Sequence, residues 1–203
     1  MSDMKKIWTR CILFLKKDSL LSTLVFLVIA FVFIKWIFFP GLSLVLHTQY
    51  PIVAVISGSM EHDELFDAWW TSNAFCGNRW CSQSEFYGAF NISRDDFFSY
   101  PFNSGFNKGD IMLVTGWTEI STGDVIVFEG SQAYPIIHRA LVVTPTHLQT
   151  KGDNNERQIT FNSFDETHVP RETVYGEAII RVPYLGYVKI WFVNLLQFFG
   201  ILK

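Results

Sequence analysis

Residues 50–60 read YPIVAVISGSM, and the rest of the chain is organised around this stretch. The apolar run 52–56 is typical of a short buried strand, because it is too short for an independent helix. The run ends in SGSM, where glycine lets the backbone turn sharply without a Cβ penalty. A hydroxyl such as that of Ser59, held at the end of a strand beside backbone N–H groups, is suited to acyl transfer. An ordinary Ser-Gly-Ser turn is the simpler interpretation of these residues taken alone.

The composition indicates a domain with membrane segments. A chain of 203 residues allows one domain, or one domain plus such segments. A hydrophobic fraction of 49%, with 20 Phe and 7 Trp, is too apolar for an average soluble domain. The formal net charge is −3 and the sequence has no basic stripe, so nothing in it favours nucleic-acid binding.

The N-terminal region has the pattern of a membrane anchor. Residues 1–18 mix basic and apolar side chains, which is typical of an amphipathic cytoplasmic segment on an anionic membrane surface. Residues 19–39 are apolar except for Lys35 and reach the length of about 20 residues that a spanning helix needs. The basic flank predicts a cytoplasmic N-terminus and an extracytoplasmic domain over 40–186. A cleaved signal peptide is the alternative, but the apolar run exceeds the usual length and lacks an Ala-x-Ala-like site.

Residues 61–107 form an insertion rich in aromatic residues and turn formers. We expect it to be packed by its own rings, either as a stabilising lobe or as a cap or membrane-dipping surface beside the site. Cys76 and Cys81 lie within it. On the oxidising side of a membrane, two neighbouring cysteines predict a disulfide rather than a metal site, and no histidine stands at zinc-ligand spacing.

From residue 109 onward the pattern changes to short strands. Apolar runs at 110–114, 124–128, 134–143 and 147–150 are separated by turns that contain Gly, Asp and Thr. Such spacing predicts a mainly β fold with an antiparallel sheet or a barrel-like sandwich.

Three polar residues within or beside these strands are candidates for catalysis. His138 interrupts an apolar strand and precedes Arg139, so strand alternation predicts that one of the two points inward. A buried histidine bonded to a backbone carbonyl is the simpler interpretation. Asp153 follows in the polar turn 150–155, and Asp165 lies in another polar stretch. Because a catalytic triad is defined by geometry, this order of residues alone does not establish one.

Six motifs in one order resemble a known family. They are SGSM after an apolar strand, GDIMLV, GDVIVF, IIHR, TKGDNN and RVPYLGYV. The succession resembles type I signal peptidase, in the archaeal and endoplasmic-reticulum branch. The resemblance covers about residues 40–60 and 107–190, together with the anchor, and leaves out the insertion.

The resemblance implies a membrane-bound serine endopeptidase that cleaves signal peptides from exported preproteins, without a cofactor or metal. Ser59 matches the nucleophile, and the Ser57 hydroxyl with the Ser59 N–H matches the oxyanion donors. His138 stands at the place of the general base. The acid is either Asp153 or Asp165. We expect Asp165 to orient His138 and Asp153 to hold the turn, and the reverse assignment is the alternative.

The resemblance also implies partners and a location. Preproteins and the lipid bilayer are expected partners, the Sec translocon is a further one, and the membrane is the cell membrane or that of the endoplasmic reticulum. Residues 187–203 are apolar but short for a second span, so a C-terminal membrane helix, an interfacial helix and a core helix are all allowed. A membrane-anchored, non-catalytic β-domain that serves as a binding module is the alternative function.

Overall fold

The computed structural model describes residues 2–15, 17, 19–62, 65–130, 134–161, 164–187 and 191. The chain divides into two compact units, Met1–Val45 and Leu46–Lys203. The expected C-terminal helix over 187–203 lies outside the described residues, apart from Tyr187 and Trp191.

The first unit is helical. Helix α1 spans Ser2–Leu15, and helix α2 spans Leu20–Leu46, which is long and apolar enough to cross a membrane. The Ser19 side chain caps the start of α2 by accepting a hydrogen bond from the Ser22 N–H at 3.2 Å.

Helix α2 continues past Pro40 and Gly41, which close the predicted span 19–39, and ends at Leu46. Residues Ile34–Phe38 form a π-helical turn, in which the Phe39 N–H donates to the Ile34 carbonyl. This local change of winding directly precedes Pro40 and accommodates a residue that lacks an N–H donor.

The second unit is mainly β, as expected. Its strands form an antiparallel seven-stranded sheet in the order β1-β4-β11-β5-β6-β7-β10 and two hairpins, β2–β3 and β8–β9. In chain order the strands are β1 (Ile52–Ala54), β2 (Asn73–Cys76), β3 (Arg79–Ser82), β4 (Ile111–Thr115), β5 (Val125–Phe128), β6 (Ile136–Val143), β7 (His147–Lys151), β8 (Thr160–Phe161), β9 (Phe164–Asp165), β10 (Val169–Pro170) and β11 (Val174–Val182).

The core lies on both faces of the sheet, and strand β5 explains why. Val125 and Val127 pack in one buried cluster with Val53 and Met60. The alternate residues of β5, among them Phe128, pack in a second cluster with residues of β7, β9 and β10. A strand covered on both faces is apolar throughout, which accounts for the uninterrupted apolar run at this position.

The insertion forms a lobe held by aromatic rings. It contains the β2–β3 hairpin, closed by a Cys76–Cys81 disulfide, and three short helices. These are α3 (Phe66–Trp70), α4 (Gln83–Gly88) and α5 (Arg94–Ser99). Buried rings from all three helices share a cluster with Leu141 of β6. The lobe therefore supports the strand that carries His138.

Candidate active site

Ser59 lies in a turn that is fixed on both sides. The turn follows edge strand β1, which pairs with β4, and Met60 directly after Ser59 is fully buried. Asn154 holds the turn from the other side. Its N–H donates to the Ser59 carbonyl at 2.8 Å and its Nδ2 donates to the Gly58 carbonyl at 3.2 Å. The Ser59 side chain is thus positioned by the sheet, the core and the 152–155 turn together.

His138 lies in the middle of β6, opposite Ile126 of β5, and is 3% exposed. Its Nε2 lies 2.9 Å from Ser59 Oγ. The Ser57 Oγ lies 3.2 Å from the same Ser59 oxygen. The structure therefore brings together three of the site residues predicted from the sequence.

A glutamate occupies the position beside the imidazole where an aspartate was expected. Glu166 Oε1 lies 2.5 Å from His138 Nδ1, and the Glu166 side chain is fully buried. The Thr150 hydroxyl donates to the same carboxylate oxygen at 3.0 Å. The Ile159 N–H donates to the second oxygen, Oε2, at 2.7 Å. The carboxylate is therefore held from three directions.

These contacts assign the histidine tautomer. Two donors, the Thr150 hydroxyl and the Ile159 N–H, already point at the Glu166 carboxylate, and an ionised carboxylate only accepts hydrogen bonds. The proton of neutral His138 therefore lies on Nδ1 and is donated to Glu166. Nε2 is left as an acceptor for the Ser59 hydroxyl, which is the arrangement of a general base.

Asp165 does not reach the imidazole. It is exposed, and its Oδ1 accepts hydrogen bonds from the N–H and the hydroxyl of Thr167, at 2.8 and 2.7 Å. Strand alternation gives the physical reason, since Phe164 and Glu166 point to the buried face and Asp165 points to solvent. The expected contact between Asp165 and His138 is corrected to one between Glu166 and His138.

Asp153 does not contact His138 either, and it is fully buried in a separate polar network. Arg139 donates to its carboxylate through Nε at 2.9 Å and Nη2 at 2.7 Å. The Tyr87 hydroxyl donates at 2.9 Å and His62 Nε2 at 3.2 Å. Burial alone would raise the pKa of Asp153, but the Arg139 guanidinium and the hydrogen bonds from His62 and Arg139 hold that pKa well below its usual range.

Arg139 is buried as completely as His138, although strand alternation predicted only one inward-facing residue of the two. The two side chains do point to opposite faces, because one contacts Ser59 and the other Asp153. The reason for the double burial is the insertion, whose Pro101 and Phe102 carbonyls accept hydrogen bonds from the Arg139 guanidinium.

Lys151 supports the turn that carries Asp153 and was not identified from the sequence. Its buried Nζ donates to Gln83 Oε1 at 2.9 Å and to the carbonyls of Gly152 and Asp153 at 3.0 and 3.2 Å. Burial lowers the pKa of Lys151 to about 7, against the opposing effect of the Asp153 and Glu166 carboxylates. The aromatic lobe, which supplies Gln83, thus helps to set the geometry of the site.

A cleft of about 320 Å³ opens beside Ser59 and His138. It runs along edge strand β1, so an extended peptide has backbone groups to pair with. Its walls are otherwise mostly apolar, formed by Val53, Ala54, Ile56, Pro135, Ile136, Ile137, Ile159, Phe161 and Phe164. Within the described part of the chain, no three His, Cys, Asp or Glu residues are grouped as a metal site requires.

Glu166 was not predicted as a site residue, whereas its neighbour Asp165 was. The sequence does carry a signal for it. Phe164 is apolar and belongs to the core face of a short strand, so a residue two positions on shares that face. A carboxylate at this position has to be partnered inside the protein.

The chain is similar to catalytic subunits of a signal peptidase complex. It is 26% identical to "Signal peptidase complex catalytic subunit SEC11" of Metarhizium robertsii, over 81% of this chain and 74% of the relative. It is 28% identical to the proteins of the same name from Lachancea thermotolerans and Zygosaccharomyces rouxii, in each case over 77% of this chain and 74% of the relative. No family model matches the chain.

Proposed function

We propose that this chain, a type I signal peptidase of the endoplasmic-reticulum and archaeal branch, cleaves signal peptides from preproteins with Ser59, His138 and Glu166. The observation that carries the assignment of these residues is the continuous hydrogen-bonded chain from Ser59 Oγ through the imidazole to the buried Glu166 carboxylate. A non-catalytic binding module gives no reason to bury an ionisable group in line with a serine and a histidine.

In the first half-reaction, Ser59 Oγ attacks the scissile carbonyl while His138 Nε2 takes the hydroxyl proton. Glu166 holds the imidazole in place and stabilises its protonated form. The Ser59 N–H and the Ser57 hydroxyl donate to the oxyanion. His138 then returns the proton to the leaving amine, and an acyl-enzyme remains on Ser59.

In the second half-reaction, water attacks the acyl-enzyme with His138 again acting as the base. The released acid is the signal peptide, and the free enzyme is restored. Both steps use only groups of this chain and water.

The cleft supports an extended peptide with small residues near the scissile bond. Strand β1 lies at the edge of the sheet and lines one side of the cleft, whose walls are mostly apolar, so an extended peptide can pair with it. The branched side chains of Ile56, Ile136 and Ile137 line the cleft together with Ser59 and His138.

Helix α2 would anchor the enzyme in the cell membrane or in that of the endoplasmic reticulum, with 1–18 cytoplasmic and the β-domain on the other side. The basic flank of α2 and the Cys76–Cys81 disulfide support this orientation. The Sec translocon, which delivers preproteins, is a proposed partner. Protease protection of sealed vesicles tests the orientation, since a β-domain digested from the cytoplasmic side would contradict it.

The function is tested with the full chain in detergent or vesicles and a labelled preprotein. We expect a single cut after the signal peptide, identified from the mass of the products. His138→Ala should be inactive, because Ser59 then lacks the base that takes its proton. An intact preprotein with the wild type, or ordinary turnover by His138→Ala, would contradict the proposal.

A further inference from the structure

One polar group in the site has no part in the chemistry described above. The Nδ2 atom of Asn155 is buried and has no hydrogen-bond partner among the residues that the structure describes. Asn155 lines the same cleft as Ser59 and His138. A buried N–H donor without an acceptor lowers the free energy of unfolding, so such donors in native proteins often have a ligand as their partner.

The position of this amide relative to the imidazole is defined by Gly152. A Cβ atom on Gly152 would lie 2.7 Å from Asn155 Nδ2, 2.7 Å from His138 Nε2 and 2.8 Å from the Ser59 carbonyl oxygen. The amide nitrogen and the catalytic nitrogen therefore both border the space that a side chain on Gly152 would fill. The free N–H of Asn155 belongs to the immediate surroundings of His138 Nε2.

The backbone of Asn155 is fixed by two contacts, and this places the side chain beside the cleft. The Asn155 N–H donates to the Gly152 carbonyl at 2.9 Å. The Asn155 carbonyl accepts a hydrogen bond from Gln83 Nε2 at 3.3 Å. Because the backbone is already ordered, only the side chain of Asn155 loses conformational entropy when its amide binds an acceptor.

We infer that Asn155 binds the leaving side of the substrate, donating from Nδ2 to the carbonyl oxygen of the residue that follows the scissile bond. The inference rests on the proposed function. In that reaction His138 Nε2 delivers its proton to the leaving amine, so the leaving residue lies next to Nε2. The first acceptor after that amine is the carbonyl of the same residue, and Asn155 is the unpartnered donor beside it.

The inference is tested by comparing two substrates that differ in whether a carbonyl follows the scissile bond. One is a quenched peptide that extends past the signal-peptide cleavage site. The second carries the same residues before the cut and ends directly after it in a fluorescent aryl amide, so the leaving group has no carbonyl at that position. The full-length enzyme is assayed on both, with Asn155→Ala and the control Asn78→Ala, an exposed residue in the β2–β3 turn.

On the peptide, Asn155→Ala should lower kcat/KM about tenfold, the loss expected for one hydrogen bond. On the aryl amide it should equal the wild type within about twofold, because the acceptor is missing from both complexes. Asn155→Asp should be worse than Asn155→Ala on the peptide, since a carboxylate repels the carbonyl.

An equal loss on both substrates would overturn the inference, because Asn155 would then act on the attacking water, the oxyanion or the fold. An unchanged rate on the peptide would overturn it as well. Failure of the wild type to cleave either substrate, or full activity of Ser59→Ala, would instead contradict the proposed function.

Discussion

His138 Nδ1 lies 2.5 Å from Glu166 Oε1, although the two residues are 28 positions apart in the chain. The β8–β9 hairpin makes this contact, because it folds back over the sheet and turns Glu166 inward directly after β9. Two backbone hydrogen bonds fix the register there. The Thr150 N–H donates to the Glu166 carbonyl and the Glu166 N–H donates to the Ile159 carbonyl, each at 2.9 Å.

The two serines of the Ser59 turn should differ in their effects. Ser59→Ala should abolish cleavage, because it removes the hydroxyl that lies within hydrogen-bonding distance of His138 Nε2 and forms the acyl-enzyme. Ser57→Ala should lower kcat by up to about 10²–10³, the loss typical for one oxyanion donor. Initial rates with saturating peptide measure both. Full activity of Ser59→Ala would disprove the nucleophile, and an unchanged kcat in Ser57→Ala would remove Ser57 from the oxyanion site.

Gly152→Ala should inactivate the enzyme while leaving most of its stability. The added Cβ would meet three atoms at 2.7–2.8 Å, among them His138 Nε2 and the Ser59 carbonyl oxygen. Relieving that overlap displaces the imidazole or the Ser59 turn, at a cost to folding of about 1–3 kcal/mol. Gly41→Ala is the matched control, because its Cβ would meet nothing within 4 Å. Ordinary turnover by Gly152→Ala would show that Gly152 does not lie as close to the imidazole and to the Ser59 carbonyl as described.

The Asp153–Arg139 pair predicts a specific dependence of stability on pH. Because the pKa of Asp153 is held below its usual range, the unfolded chain takes up this proton first as the pH falls below about 4. The contribution of Asp153 is therefore present above about pH 4 and is lost on acidification. Asp153→Asn should be less stable at neutral pH by about 3–5 kcal/mol, since Arg139 loses its partner, and its stability should fall less steeply in acid.

Thermal unfolding followed by tryptophan fluorescence at several pH values measures this effect. Tyr87→Phe serves as the comparison, because it removes one hydrogen bond to Asp153 but keeps the ion pair with Arg139, and it should retain most of the wild-type pH dependence. Equal acid slopes in the wild type and Asp153→Asn would contradict the account of this network.

Much of the site could be predicted because its residues lie in regular local patterns. Ser59 follows a short apolar strand and His138 interrupts another, and both signals depend only on neighbouring residues. The mainly β fold followed in the same way from the spacing of apolar runs and turns.

The carboxylate that orients His138 was harder to predict, because its identity depends on tertiary contacts. Asp153 forms an ion pair with Arg139 instead of contacting His138. This pair is buried because the insertion covers the outer face of β6 and accepts hydrogen bonds from the guanidinium. Which residue of the β8–β9 hairpin faces His138 depends on a one-residue register, and a shift by one exchanges Asp165 for Glu166. The unpartnered amide of Asn155 has no sequence signal at all.

The most direct test of the central claim compares Glu166→Gln with Asp165→Asn, two neighbouring substitutions that each remove one negative charge. Glu166→Gln keeps the shape of the side chain but replaces a carboxylate oxygen facing Nδ1 with an amide, so the imidazole loses its orienting charge. We expect kcat to fall by about 10²–10⁴ in Glu166→Gln and to stay near the wild-type value in Asp165→Asn. Near-normal turnover by Glu166→Gln together with an inert Asp165→Asn would contradict the assignment of Ser59, His138 and Glu166.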